Sequence, residues 1–384
     1  MRTSTKVAID KYVGVIVVFI LKNIFRLFSF RREVKISEPK TIVVCKFLGM
    51  GSIIQSTPLL QTFKKQFPNT KIIYLSSATN LELLKLISVI DKSIIINDKN
   101  ILSTFISSIS CIRFLLLNRI DLFVDLEVYS HFSKIFTIFS DAKLKFGMTN
   151  NVLLKNDLYS VNFQLHTDRP VFESYLEMGK VIHSSEIIQA LYPFQVEAGT
   201  IKSLCGKFNI LGKYIVINPN ASDLRIERRW PAGNFSKLIE KIIREFPGKQ
   251  IVLIGVLSEI ENVKSVLEGI DINLRKNVIN TCGKLALKEL IALIHDTELV
   301  ITNDTGPMHL SFALNRPTIA LFGPASPIQF GNHQNSTVVY KKVHCSPCVH
   351  QFIKPPCLGD NICMKQISVG EVFDGVISIS KESR

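Results

Sequence analysis

The sequence predicts an α/β fold built from two successive parallel-sheet units. Two observations carry that expectation. From Thr41 short apolar runs alternate with helical stretches, and after a less regular segment over about 150–203 the alternation restarts at Tyr214. Strands that alternate with helices pair in parallel, with helices covering both faces of the sheet. The 384 residues are ample for two such units, and a hydrophobic fraction of 47% excludes general disorder. The boundaries expected are an N-terminal segment over 1–35, a first unit over 36–200 and a second over 201–384.

Each element follows from local pattern. In the first unit TIVVCKF reads as a strand, GMGS as a turn and IIQSTPLLQTFKKQF as a helix. KIIYLSS, SIIIND and DLFVDLE are the next strands, separated by the helical stretches NLELLKLI and 101–117. In the second unit YIVINP, QIVLIGV, VIN, ELVITND and TIALFG read as strands. Between them lie the helices NFSKLIEKIIREF, with Asn234 as its expected N-cap, ALKELIALIHD and PMHLSFALN. Ligands of such sheets bind beyond the carboxyl ends of the strands, and two units facing each other would form a cleft.

Ahead of both units lies YVGVIVVFIL (12–21), a continuous apolar run. It is shorter than the roughly 20 residues that span a bilayer. Lys22, Asn23 and Arg26 interrupt it, and Arg31 and Arg32 follow. That order suits a helix lying in a membrane interface with cations at the headgroups; the alternative is a helix packed on the first unit. A net charge of +14 points to an anionic partner. Nucleic acid is the weaker option, because no basic stripe interleaved with aromatics is present. No cleavable secretion signal is evident, so a reducing cytosol is expected for the eight cysteines. Four of them, Cys345, Cys348, Cys357 and Cys363, cluster and allow a tetrahedral zinc site, free thiols or one disulfide.

The segment with most chemistry is ITNDTGPMHLSFALNRPTIALFGPASP (301–327). A strand end turns at Asp304-Thr305-Gly306 into a helix carrying His309. Free amides and the helix dipole there suit a phosphate. Pro307 fits the first helical turn, where its missing donor costs little. Asp304, Thr305, Gly306, His309, Ala313, Pro317, Phe322, Gly323 and Pro324 together resemble the signature of the heptosyltransferases, glycosyltransferase family nine.

The resemblance implies a GT-B fold, two Rossmann-like domains facing an interdomain cleft, and an inverting reaction without metal or other cofactor. It implies that Thr305 and Gly306 hold a donor diphosphate, with Asp304 and His309 beside them. INPNASDLRIERRWP (217–231) is similar to the family's basic-Xaa-Trp-Pro element. Arg228 then stands where the family has a phosphate-binding lysine, with Asn220 and Ser222 in the same loop; a guanidinium pairs well with phosphate. Glu259, after the strand in LIGVLSE, takes the place of the glutamate that contacts the donor ribose.

The first unit departs from the pattern. KFLGMGSIIQSTPLL (46–60) resembles the family's Gly-Asp loop, with Gly51, Thr57 and Pro58 matching, but Ser52 occupies the position of the family's proposed catalytic aspartate. An unactivated hydroxyl is no general base near neutral pH. Glu127 is the preferred substitute, weighed against a substrate-orienting or structural role, and His131 is the second choice. Lys46 and Gly51 are expected on the acceptor side.

The expected function is transfer of a sugar, heptose from ADP-heptose by resemblance, onto a lipid-linked saccharide in envelope lipopolysaccharide synthesis. The expected place is the inner face of the cytoplasmic membrane, with peripheral attachment. Two rivals stay open. One is a catalytically silent nucleotide-sugar-binding or scaffold protein, supported by Ser52; the other is a nucleotide-sugar epimerase, which leaves the apolar N-terminus unexplained.

Overall fold

The computed structural model describes residues 5, 8–26, 38–150, 156–182, 186–349 and 355–382. Arg31 and Arg32 lie outside them. The chain divides into two compact units, Met1–Tyr192 and Pro193–Arg384. The division falls before the expected 200/201 because the chain up to Tyr192 is tied into the first unit: the Tyr192 amide donates to Thr57 Oγ1 at 3.0 Å, and its hydroxyl meets Ser88 Oγ at 2.8 Å.

In the first unit a π-helical turn, Asp10–Gly14, leads into α1 (Val15–Arg26). Next come β1 (Thr41–Cys45), α2 (Met50–Gln66), β2 (Lys71–Ser77), α3 (Leu81–Lys85), β3 (Lys92–Ile96) and α4 (Ile101–Leu117). β4 (Leu122–Asp125), α5 (Phe132–Phe139), β5 (Leu144–Thr149), β6 (Val161–Gln164) and α6 (Val171–Ile182) follow. The strands form one parallel sheet in the order β3-β2-β1-β4-β5-β6. Because side chains alternate across a strand, Val43 and Cys45 face one way. There they join Leu75, Phe123, Leu115 and Phe136 in a single buried cluster. β5, β6 and α6 are elements the sequence reading did not anticipate.

The second unit begins with α7 (Thr200–Phe208), β7 (Tyr214–Asn218), α8 (Ala232–Glu245), β8 (Gln250–Leu253), α9 (Ile260–Glu268) and β9 (Val278–Asn280). It continues with α10 (Leu287–Asp296), β10 (Leu299–Asn303), α11 (Gly306–Ala313), β11 (Thr318–Phe322), α12 (Pro327–Phe330) and β12 (Ser336–Tyr340), then α13 (Ile362–Lys365) and α14 (Val369–Glu382). Its parallel sheet runs β12-β11-β10-β7-β8-β9, which read from the other edge repeats the order of the first. The start of α8 corrects one expectation. Pro231, with extended φ −54° and ψ 134°, is the N-cap, and Asn234 sits inside the first turn, its amide donating to Pro231 O. Proline presets the backbone at a helix start, so the helix begins three residues earlier than its apolar pattern.

In both sheets the strand order reverses direction between the first strand and the fourth, which are neighbours: β1 beside β4, and β7 beside β10. Loops leaving two such strands diverge to opposite faces and leave a crevice at their carboxyl ends. That topology decides where side chains of each unit meet.

Candidate functional site

In the first unit the crevice carries a buried ion pair. Lys46 follows β1 and Glu127 follows β4 by two residues; their side chains meet at 2.7 Å, with exposures of only 7% and 5% for the two residues. Glu127 Oε1 also accepts from the amides of Phe47 (2.8 Å) and Leu48 (3.1 Å). One carboxylate thereby fixes both the lysine and the backbone leading to the helix with Gly51 and Ser52. Burial works against the Lys46 charge. The attraction and hydrogen bond of Glu127 outweigh it and hold the ammonium above the ordinary lysine range.

Beneath this pair sits Asp125, the last residue of β4 and fully buried. Its carboxylate accepts from the Glu127 amide (3.0 Å), Ser133 Oγ (2.8 Å) and Tyr159 OH (2.8 Å). Burial pushes its pKa up to about 6, against the pull of those hydrogen bonds and with the Glu127 charge adding to the rise. Asp125 is a site residue that the sequence reading passed over. The Asp-Leu-Glu spacing could have signalled it, since on a strand two residues separated by one share a face.

Ser52 lies in the first turn of α2, half-buried. His131 is the N-cap of α5 and is held at the N-terminal helix, away from the hydrogen bonds of the Lys46–Glu127 pair. It packs against Gly14, where any added side chain would collide with it, and its amide donates to Asp10. Burial, then Lys134, lowers its pKa, with Asp10 pulling the other way.

In the second unit the crevice gathers the loops after β7 and β10. Asn218 Nδ2 donates to Thr305 Oγ1 (2.8 Å) and to Thr302 Oγ1 (3.1 Å), tying the two strand ends together. Asn303 bridges the same gap: its Nδ2 donates to Asn220 O, and its Oδ1 accepts from Trp230 N. Asn220 is buried. It donates to Ile254 O at the end of β8 and accepts from Asn262. Arg228 reaches Asp304 with Nη1 3.4 Å from both Oδ2 and the backbone oxygen. Among the described residues its buried Nε meets no acceptor. Arg229 clamps Ala221 O with two donors inside the 220–230 loop, while the Asn303 and Arg228 bonds hold that loop against the Asp304-Thr305-Gly306 turn.

Thr305 is the N-cap of α11 with extended backbone, Gly306 starts the helix, and Pro307 falls in its first turn. The first amides of a helix have no partner within it and carry the positive end of its dipole. His309, one turn later, is buried and stands edge-on to Phe312 and Phe330. Burial, assisted by Arg228 and opposed by Asp304, brings its pKa down to about 4, so the imidazole is neutral near pH 7. Glu259 sits beside Gly255 and accepts from Val256 N at 2.9 Å; Ser222 is exposed in the same loop as Arg228. The arrangement offers a cationic side chain, a hydroxyl and helix-start amides at one crevice, which is a diphosphate-binding chemistry.

The profile of glycosyltransferase family 9 (heptosyltransferase) matches residues 140–356, more than half of the sequence. The chain belongs to this family. Lipooligosaccharide heptosyltransferase 2 of Haemophilus influenzae is 32% identical over 38% of this chain and 44% of that protein. Lipopolysaccharide heptosyltransferase 2 of Escherichia coli is 29% identical over 48% of this chain and 52% of that protein. The chain thus matches about half the length of these two relatives. Lipooligosaccharide heptosyltransferase 2 of Campylobacter jejuni matches over 86% of this chain and 96% of its own length, at 26% identity. Among solved structures, E. coli ADP-heptose lps heptosyltransferase II superposes with a TM-score of 0.70 at 20% identity, covering 90% of this chain and all of that one. A glycosyl transferase family 9 protein of Veillonella parvula gives 0.72 at 21%, covering 90% and 98%. The fold is GT-B.

Family membership does not account for every group. Trp230 is core, its indole donating to Ile367 O and its ring edge-on to Phe235. The four clustered cysteines are free thiols. Cys348 donates its amide to Pro324 O, and Cys363 lies against Gly323. Among the described residues no three histidine, cysteine, aspartate or glutamate side chains are arranged to hold a metal ion. Asn218, Asn303 and Arg229 are site residues that the sequence reading missed. Their signal was position alone, at strand ends or next to Trp230.

Proposed function

We propose that this family 9 protein transfers a heptosyl residue from ADP-heptose to a saccharide acceptor carried on a lipid precursor of lipopolysaccharide. The observation that carries the reading is the second-unit crevice, where Arg228 is held on Asp304 beside the Thr305-Gly306 helix start. The names of the relatives supply the sugar and the pathway. In this reading the donor diphosphate lies on the Gly306 amide, Thr305 Oγ1 and the Arg228 guanidinium. These donors take up the charge that grows on the departing diphosphate, which is the main term in such transfers. Neutral His309 walls the site. Asn220 and Ser222 line the loop, and Glu259 takes the donor ribose.

On the acceptor side the reading assigns Lys46 and the Gly51 turn to binding. Glu127 already accepts from three donors; we assign it to holding Lys46 and the loop amides in position. Attachment to the inner face of the cytoplasmic membrane belongs to the same proposal, since the acceptor is lipid-linked. A second reading, a donor-binding protein without turnover, is favoured by one observation, the hydroxyl of Ser52 in the place of a carboxylate.

One experiment separates the readings. The purified chain is titrated with ADP-, GDP- and UDP-linked sugars, then incubated with ADP-heptose and a heptose-deficient lipopolysaccharide acceptor. Selective binding of the adenine nucleotide and a product heavier by one heptose are expected. Binding without product supports the silent reading, and preference for another base overturns the donor. Arg228→Ala should weaken donor binding by about 1.5–3 kcal/mol, the worth of a charge-assisted hydrogen bond.

A further inference from the structure

Helix α4 is apolar on the wrong side for a water-soluble surface. Its inner side buries Cys111 and Leu115 in the first unit's core. Its outer side carries Ile101, Leu102, Phe105, Ile106 and Ile109, each between 50% and 69% exposed. The spacing of four between Ile101, Phe105 and Ile109, and between Leu102 and Ile106, lines them along one helical face. Seventeen residues make a face about 25 Å long. Contiguous exposed apolar surface of this kind marks a docking site. The stripe runs into a groove of about 490 Å³ between α4 and the edge strand β3, lined by Ile94, Ile106 and Phe114 among others.

A second such face belongs to the same unit. The N-terminal helix exposes Tyr12, Ile16, Phe19 and Ile20, each between 51% and 70%. Both this helix and α4 pack on α5. Charge distinguishes the occupant. Over 98–119 the charged side chains are Asp98, which is half-buried, and the exposed Lys99, Arg113 and Arg119, three cations to one acid; Lys11 is exposed beside Tyr12. The acid at the start of the N-terminal helix, Asp10, is spent on the amides of His131 and Phe132. A protein partner is met by charges of both signs at the rim, whereas apolar faces flanked by cations match an anionic lipid surface. Among the described residues no helix is long and apolar enough to cross a membrane, so these helices would lie in the interface plane.

We propose that the outer face of α4, together with that of the N-terminal helix, docks the first unit onto an anionic phospholipid bilayer. The proposal deepens the membrane part of the function above by adding an internal contact to the N-terminal one. Its test reads binding, not transfer. The full chain is floated with vesicles of phosphatidylcholine alone and with vesicles of phosphatidylcholine mixed with anionic phosphatidylglycerol. Wild type should bind the anionic vesicles. Phe105→Ser with Ile109→Ser should weaken binding about tenfold or more, with circular dichroism unchanged because both positions are exposed. Arg113→Gln should weaken binding to anionic vesicles about fivefold, the worth of one cation at such a surface, and leave neutral vesicles unaffected. Transfer to a delipidated acceptor should be unchanged in the Phe105/Ile109 variant, so that loss of transfer and loss of docking are told apart. Wild-type failure to bind anionic vesicles overturns the proposal. So does unaltered binding by the Phe105/Ile109 variant, or a wild-type dimer that this variant converts to monomer while vesicle binding persists, which would give the face to a second copy.

Discussion

Asp125 and Glu127 illustrate how two carboxylates with a single residue between them come to different roles. Glu127 is saturated by Lys46 and two amides, while Asp125 lies below it among hydroxyls. A positioning role for Glu127 makes a distinct prediction. Glu127→Gln should leave nucleotide binding unchanged and lower transfer at least about tenfold, the pH profile of the residual activity keeping its shape. Loss of the acidic limb alone, the side on which a general base becomes protonated, would instead make Glu127 the proton acceptor. For Asp125 the folded pKa of about 6 exceeds the unfolded value of about 3.9. The folded state therefore holds the proton more tightly between those values, and stability falls as pH rises from about 4 to 6. Asp125→Asn should remove that slope. Relative to wild type, its stability in urea should improve by up to about 3 kcal/mol between pH 4 and pH 7; a constant difference would refute the assignment.

At the scale of elements, strand β5 serves the site through an absence. Gly147 pairs with Asp125 across β4 and β5, and the Tyr159 ring lies against the place where a Cβ would stand. That close approach lets the Tyr159 hydroxyl reach Asp125. Gly147→Ala should displace the ring and destabilise the first unit by about 1–3 kcal/mol, as overpacked cores are. Gly206→Ala is the control. It lies inside α7 with open space around its Cβ position, so alanine should stabilise by about 0.5–1 kcal/mol through helix propensity. Thermal melts of the two variants moving in the same direction would contradict the packing account. The same steric logic explains why β5 was not legible in the sequence: FGMT contains a glycine that weakens any strand pattern.

At the scale of the whole molecule, two sheets of the same strand order place a crevice at β1/β4 and another at β7/β10. The first holds an ion pair and the second an amide-rich cradle with a guanidinium. Division of labour between them predicts where a nucleotide protects the backbone. Hydrogen exchange with saturating ADP should slow amides over 218–230 and 303–308 and leave 45–52 unchanged. At a hundredfold excess over Kd, the nucleotide should stabilise the second unit by about 2.7 kcal/mol. Protection confined to 45–52 would reverse the assignment of donor and acceptor units.

By itself the sequence determined the class of fold, the strands that bound each crevice and the turn from Asp304 to Gly306. These are local properties: apolar runs of strand length, and a proline and a glycine at a helix start. It also determined the departure at Ser52, which no folding alters. Only the tertiary structure decided that Lys46 and Glu127, separated by 81 residues, neutralise each other out of water. Likewise it alone brought Asn218 and Asn303 across a strand gap to hold Thr305 and Asn220. Strand order is set by how whole helices cover a sheet, and side chains that meet at a reversal of that order carry no mark of it in their own neighbourhoods. The same reason hid the outer face of α4. An apolar helix reads as core until the sheet it covers is seen to need only one of its sides.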